Sequence, residues 1–303
     1  MTGRRVAVIG NAGIDTCVFF PGGDPAWDRE TYLTENLDTV GQAGAYASLG
    51  YARLGHRPTF LGHVGDDPWG HRVRATLAAG GVDVRGLVTD EAGTARSVNL
   101  MHADGTRIGC YDGKGHQDFQ PDLARCAELL RGCALAHVHI PDWARRLLPL
   151  IHQEGMPLAV DLQDLPGTDD PYRADFIAAA DLLFFSAVAV GDPAPVARAL
   201  LAGRPRLTVV AGLGARGCLL ATAEGIQTFP PPPSDLRVVD TNGAGDALAV
   251  GFLTARILEG RSLEDAVLRG QLAARHACSL KATCEGLITA AELEARATAL
   301  SSP

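Results

Sequence analysis

Apolar residues along the chain gather in short solid runs, and between those runs they recur at helical spacing. "RVAVIG" (5–10), "PTFLGHVG" (58–65), "LAHVHI" (135–140), "PLAVDL" (157–162), "DLLFFS" (181–186) and "RLTVVAG" (206–212) have strand length. Being apolar on both faces, they predict strands of a buried, mainly parallel sheet. "AGAYASLGYARLG" (43–55) has helical spacing and closes on Gly55, a C-terminal cap, and "DPWGHRVRATLAAGG" (67–81) also reads as helix. Strands alternating with helices predict an α/β fold, a doubly wound sheet flanked by helices on both faces.

Two regions break that rhythm. Residues 13–40 and 96–112 read as strands and turns, the second as a hairpin around Asp104-Gly105, a strong turn signal. Two β excursions from an α/β core suggest a small lid beside it. "FPPPPSD" (229–235) reads as a rigid loop, and no internal repeat, low-complexity segment or charge run is present.

Composition narrows the partners. The chain has 303 residues, 47% hydrophobic and 20% charged, with a formal net charge of −8. An acidic chain lacks the clustered Lys and Arg of a nucleic-acid surface. No apolar stretch reaches the length of a membrane span, and the apolar run after Arg4-Arg5 is too short for a signal peptide. Seven Cys without a CxxC pair suggest scattered thiols in a reducing cytoplasm. "HVH" (137–139) lies in an apolar run with no ligand partner nearby in sequence, so zinc is not expected there.

Two glycine motifs compete for the chemistry. "GLGARG" (212–217) matches the dinucleotide fingerprint, which works only when its third glycine opens a helix. "CLLATAEGIQTF" follows instead and reads as two short strands, which argues against NAD. A Walker A loop fails too, because "GCYDGKGH" lacks the spacing and the Ser or Thr after Lys114. "DTNGAGD" (240–246) differs. Gly243, Ala244 and Gly245 leave successive backbone N–H groups bare, and a helical pattern follows to Gly260. A helix N-terminus favours an anion. Asp246 at its edge either caps the helix or takes a proton from a hydroxyl that attacks phosphorus held there. The helix dipole favours its ionised form, so a carboxylate is expected at neutral pH.

"DTNGAGD" resembles the second signature of the PfkB (ribokinase-like) carbohydrate kinases, and "GQAGAYASLGYARLGHRPTFLGHVGDDPWG" (41–70) resembles the first. "VIGNAGID" (8–15) looks like the family's first strand, and "VVAGLGARGCLL" (209–220) like the strand and turn under the nucleotide. The resemblance implies a single ribokinase-like domain over 1–303 that phosphorylates a sugar or nucleoside hydroxyl with ATP and Mg²⁺. It implies Asp246 as base, residues 243–245 as anion hole, and Gly212, Gly214 and Gly217 at the nucleotide. Asp15, Gly41, Gln42, Gly44 and Tyr46 would line the substrate pocket, and Asp240 and Asn242 match positions that in some members hold a monovalent cation such as K⁺. A homodimer clasped through the lids is implied in the same way.

Departures from the family pattern bear on substrate. Gln42 and Tyr46 stand where Gly-Gly and a later Asn are usual, and Gly13 where ribokinases proper carry Asn. Tyr46 either stacks on a base or aryl group or packs in the interior. Ser186 and Ala189 replace a common Asn-x-x-Glu that organises metal and phosphate, and Gly212 replaces a common Thr. A catalytically weak sugar- or nucleotide-binding sensor on the same fold is the alternative reading; an intact Asp246 favours the enzyme.

Overall fold

The computed structural model describes residues 3–165, 167–188 and 190–301. Its strands are β1 (Arg5–Ile9), β2 (Gly13–Phe19), β3 (Glu35–Gly41), β4 (Arg57–Val64), β5 (Asp83–Thr89), β6 (Arg96–Met101), β7 (Arg107–Asp112), β8 (Leu135–Val138), β9 (Leu158–Asp164), β10 (Leu182–Ser186), β11 (Thr208–Gly212), β12 (Cys218–Thr222) and β13 (Gly225–Phe229). The helices are α1 (Ala43–Arg53), α2 (Pro68–Ala79), α3 (Leu123–Leu130), α4 (Leu148–Glu154), α5 (Ala174–Ala179), α6 (Ala194–Leu201), α7 (Ala244–Leu253), α8 (Leu263–Ala277) and α9 (Ala290–Ser301).

The main sheet runs β13-β12-β11-β10-β9-β8-β1-β4-β5. From β11 to β5 every pairing is parallel, and β12 and β13 close one edge antiparallel. Alternation along each strand divides the core. Val6, Val8, Ala159 and Phe184 face the layer that includes α1, α7 and α8. Ala7, Ile9, Val138 and Val160 face the layer that includes α4 and α6. After β1 the chain fills β4 and β5 on one side and returns to place β8 on the other. The strand order therefore reverses between β1 and β8, and open α/β sheets bind ligands outside the carboxyl ends of strands at such a point.

Helix α7 is buried from Ala247 through Leu253 because it lies between the sheet and other helices. It meets α8 closely: a Cβ at Gly251 would stand 2.8 Å from the Arg269 carbonyl and 2.9 Å from Gly270 Cα. Its regular pattern stops short of Gly260, giving way to a π-type turn over Thr254–Leu258.

Residues 13–41 and 96–112 form a second sheet, ordered β3-β2-β6-β7. Its β6–β7 turn carries Gly105 at φ 85°. That turn is fastened to the segment before α7, since Thr241 donates to the Gly105 carbonyl from both N–H (3.1 Å) and Oγ1 (2.9 Å). All seven thiols are free. No helix among the described residues is long and apolar enough to cross a membrane.

Candidate active site

Gly243, at φ 72°, is the N-cap of α7, which puts Asp246 in its first turn rather than at the cap. The left-handed backbone excludes a β-carbon, and so does the Tyr46 ring lying against Gly243 Cα. The backbone N–H groups of Gly243 and Gly245 donate to no carbonyl among the described residues. A Cβ at Gly245 would meet nothing within 4 Å. Protein packing therefore does not require that glycine, and the space above it is open. Bare donors at a helix N-terminus bind anions.

Burial raises the Asp246 pKa well above the ordinary carboxylate value, the Asp161 charge adds to it, Arg107 opposes, and Asp15 raises it further. The direction is opposite to the helix dipole's pull, because desolvation and a like charge outweigh the half-charge of a helix end. Asp161, in the middle of β9, is itself pushed up to about 6 by burial, less the backbone bond from Gln163. A base with a raised pKa works above it and is lost as pH falls through it. The acid limb of the kcat profile should therefore lie clearly above the usual carboxylate range near about 4, and it belongs to the Asp161–Asp246 pair. A limb centred near 4 in a pH–rate series would contradict this environment.

Asp15 lies inside β2, not at the end of the first strand, and is 5% exposed. Its Oδ2 accepts the Gln42 N–H at 3.2 Å and presses on Gly41, where any β-carbon would collide with it. Gly44 has a packing explanation: its N–H reaches the Asn11 carbonyl at 2.9 Å, and a Cβ would stand 2.6 Å from the Phe60 ring. Tyr46 is buried in the interior against Gly243, so it braces the anion turn and offers no free face for stacking.

Gln42 explains two departures together. Its backbone is at φ 69° and ψ 160°, a region essentially reserved for glycine and costing about 1–3 kcal/mol. Its side-chain oxygen and nitrogen are buried without a partner. The amide occupies the space above Gly13, where a Cβ would stand 2.6 Å from Gln42 Nε2. The polar group missing at 13 is thus supplied from 42, beside Asp15. Gln42→Gly should raise the melting temperature by several degrees, since about 1–2 kcal/mol of strain is released after the entropy of glycine is counted. It should also raise the KM of the phosphoryl acceptor. A lower melting temperature would show that the backbone is not strained.

At the other glycine motif, β11 ends at Gly212 and a short turn follows with Gly214 at φ 60° and Gly217 at φ 93°. Gly217 cannot carry a β-carbon because the Phe229 carbonyl lies against it. β12 follows directly, so the helix needed by a dinucleotide fingerprint does not form. Asp240 and Asn242 are engaged with each other and with the chain. Asp240 Oδ1 accepts from Asn242 N–H (2.7 Å) and Nδ2 (2.8 Å), and Oδ2 accepts from Ala282 N–H at 3.0 Å. These bonds brace the pair against the chain between β13 and α7. Ser186 ends β10 and pairs in register with Asp164 of β9, an exposed residue; Ala189 lies outside the described residues.

Sequence reading missed several groups. Arg107 opens β7, and its charge acts on both Asp15 and Asp246. Asn11 Nδ2 donates to Tyr111 Oη at 2.5 Å and lies 3.0 Å from His116 Nδ1, whose other nitrogen is 3.1 Å from Tyr172 Oη. The signal lies in "GCYDGKGH", where Tyr111 and His116 stand five residues apart. His137 and His139, expected to stand without partners, lie beside Asp161 from the neighbouring strand.

A mainly parallel sheet, a helix N-terminus with bare N–H groups and an Asp in its first turn, with Asp15 near enough to raise that Asp's pKa, come together here. Residues 39–290 match the pfkB family of carbohydrate kinases, and the chain belongs to that family as a sugar kinase. It is 32% identical over 95% of its length to the acarbose 7(IV)-phosphotransferase of Actinoplanes sp., covering 96% of that protein. Fructoselysine 6-kinase of Escherichia coli is 28% identical over 72% of this chain and 81% of its own. The structure of a microbiome-derived acarbose kinase, Mak1, superposes with a TM-score of 0.85 at 29% identity, covering 98% of this chain and all of that one.

Proposed function

We propose that the protein transfers the γ-phosphoryl group of ATP to a hydroxyl of a carbohydrate, with Asp246 as general base. The observation that carries this reading is the pairing of Asp246 with unclaimed N–H groups at Gly243 and Gly245. Phosphoryl transfer through a loose transition state needs positioning and charge neutralisation more than covalent help. Asp15 and the free amide of Gln42 hold the acceptor by its hydroxyls. Asp246 takes the proton of the attacking hydroxyl, and its raised pKa makes it a better acceptor than an ordinary carboxylate. Arg107 supplies positive charge over the two aspartates. Gly212 and Gly214 border the nucleotide, as in the family pattern.

The chemistry that Mg²⁺ would supply when bound is neutralisation of phosphate charge. Asp164 is the residue that would hold it, because it is an exposed carboxylate next to Ser186, where the usual Glu-bearing motif is lacking. One carboxylate with phosphate oxygens and water suffices for Mg²⁺. Activity should require Mg²⁺, and Asp164→Asn should raise the half-saturating concentration about tenfold, the worth of a lost charge-assisted contact of about 1.5 kcal/mol. An unchanged Mg²⁺ titration would remove Asp164 from this role.

Carbohydrate is favoured over nucleoside as acceptor because Tyr46 is committed to packing. ATP consumption against acarbose, fructoselysine, fructose, ribose and nucleosides tests the reading. Turnover of a sugar supports it; turnover confined to nucleosides, or no turnover with any acceptor, overturns it.

A further inference from the structure

His137 lies on β8 and His139 just beyond it, so both side chains emerge on one face of the sheet, the face covered by α1 and α7. Asp161 of β9 stands alongside, because β8 and β9 pair His137 with Ala159 and Val138 with Val160. The three residues are 0%, 1% and 6% exposed, and their ligand atoms all lie within 4.8 Å of one another. Both nitrogens of His139 and the Nε2 of His137 have no hydrogen-bond partner. Three orphaned imidazole nitrogens in one apolar pocket are far outside the normal economy of a protein interior, where buried polar atoms are bonded to protein, water or an ion.

We propose that His137, His139 and Asp161 bind one borderline divalent cation of the Zn²⁺ class, at a site distinct from the Mg²⁺ that accompanies the nucleotide. Two imidazoles and a carboxylate match the donor preference of Zn²⁺ and its neighbours, whereas Mg²⁺ prefers oxygen. Burial keeps both imidazoles neutral, the form that ligates. The ring of His137 is already oriented: Tyr51 Oη bonds its Nδ1 at 3.2 Å, leaving Nε2 for the ion. Room for His139 is secured by Gly10, where a Cβ would stand 2.7 Å from the imidazole Cδ2. Three protein ligands leave a fourth position for water. The site spans β8 and β9 beside the point where the strand order reverses, and it would lock those two strands together under Asp246.

The test uses the full chain without nucleotide or sugar. Protein stripped with a chelator and dialysed is titrated with Zn²⁺ in a large excess of Mg²⁺, and bound metal is counted by elemental mass spectrometry after gel filtration. Wild type should retain one equivalent and gain melting temperature. His139→Ala should lower Zn²⁺ affinity by more than about 100-fold, and Tyr51→Phe, which removes only the orienting bond, by about 10- to 100-fold. Asp246→Asn should retain the ion. Should His139→Ala fail to fold, Co²⁺ bound to wild type gives the answer, since nitrogen and oxygen ligation in a four-coordinate site has its own visible absorption. Zn²⁺ absent from wild type would overturn the proposal, with water serving the orphaned nitrogens. Zn²⁺ retained equally by folded His139→Ala, or a Co²⁺ spectrum of the fully hydrated ion, would overturn it too. None of these outcomes depends on the sugar-kinase reading.

Discussion

Asp246→Asn is expected to lower kcat by about 10²–10⁴ while leaving the KM for ATP nearly unchanged, the usual cost of losing a general base. The substitution preserves shape, and the N-cap of α7 is Gly243, so the helix end is not dismantled. Stability should hold or rise slightly, because the replaced carboxyl was desolvated and faced the Asp161 charge. A residue that mattered only for the helix would behave in the opposite way, losing melting temperature and keeping activity per folded molecule. The acid limb of the pH profile should vanish with the carboxyl. Activity within about tenfold of wild type would falsify the assignment.

Asp15→Ala is the second large effect. A hydrogen bond to a charged acceptor contributes about 1.5–3 kcal/mol, so the KM for the sugar should rise about 10- to 150-fold. The nucleotide should be spared, since Asp15 lies on the second sheet, apart from the turn after β11. Its removal also frees the Gln42 N–H and the Ser97 hydroxyl, both of which bond it. Asp15→Asn, which keeps an acceptor in place, should recover part of the loss. Equal rises in KM for sugar and ATP would mean that Asp15 holds the whole cleft in shape and does not grip the acceptor.

The sheet was legible in the sequence because a strand covered on both faces must be apolar throughout, and "LAHVHI" or "DLLFFS" permits little else. The anion turn was legible for a related reason, as few roles need three residues almost without side chains at a helix start. What stayed hidden depends on register. Nothing in "PLAVDL" shows that Asp161 will stand beside His137 and His139, or that it will raise the pKa of a residue far along the chain. An Asp set within an otherwise apolar run, between Val160 and Leu162, was the available signal, because burying a carboxyl is costly unless it is used. Tyr46 is a different case. Residue type left stacking and interior packing both open, and only the fold, which sets the ring against Gly243, decides for packing.

The packing around position 13 has a meaning for anyone redesigning the pocket. A β-carbon there would collide with the Ala95 carbonyl as well as stand 2.6 Å from the Gln42 amide. Emptying position 42 therefore does not by itself make room at 13, because the obstacle that remains is backbone and cannot turn aside. A new side chain at 13 needs the turn before β6 to be rebuilt with it, so the three positions are a single unit of design.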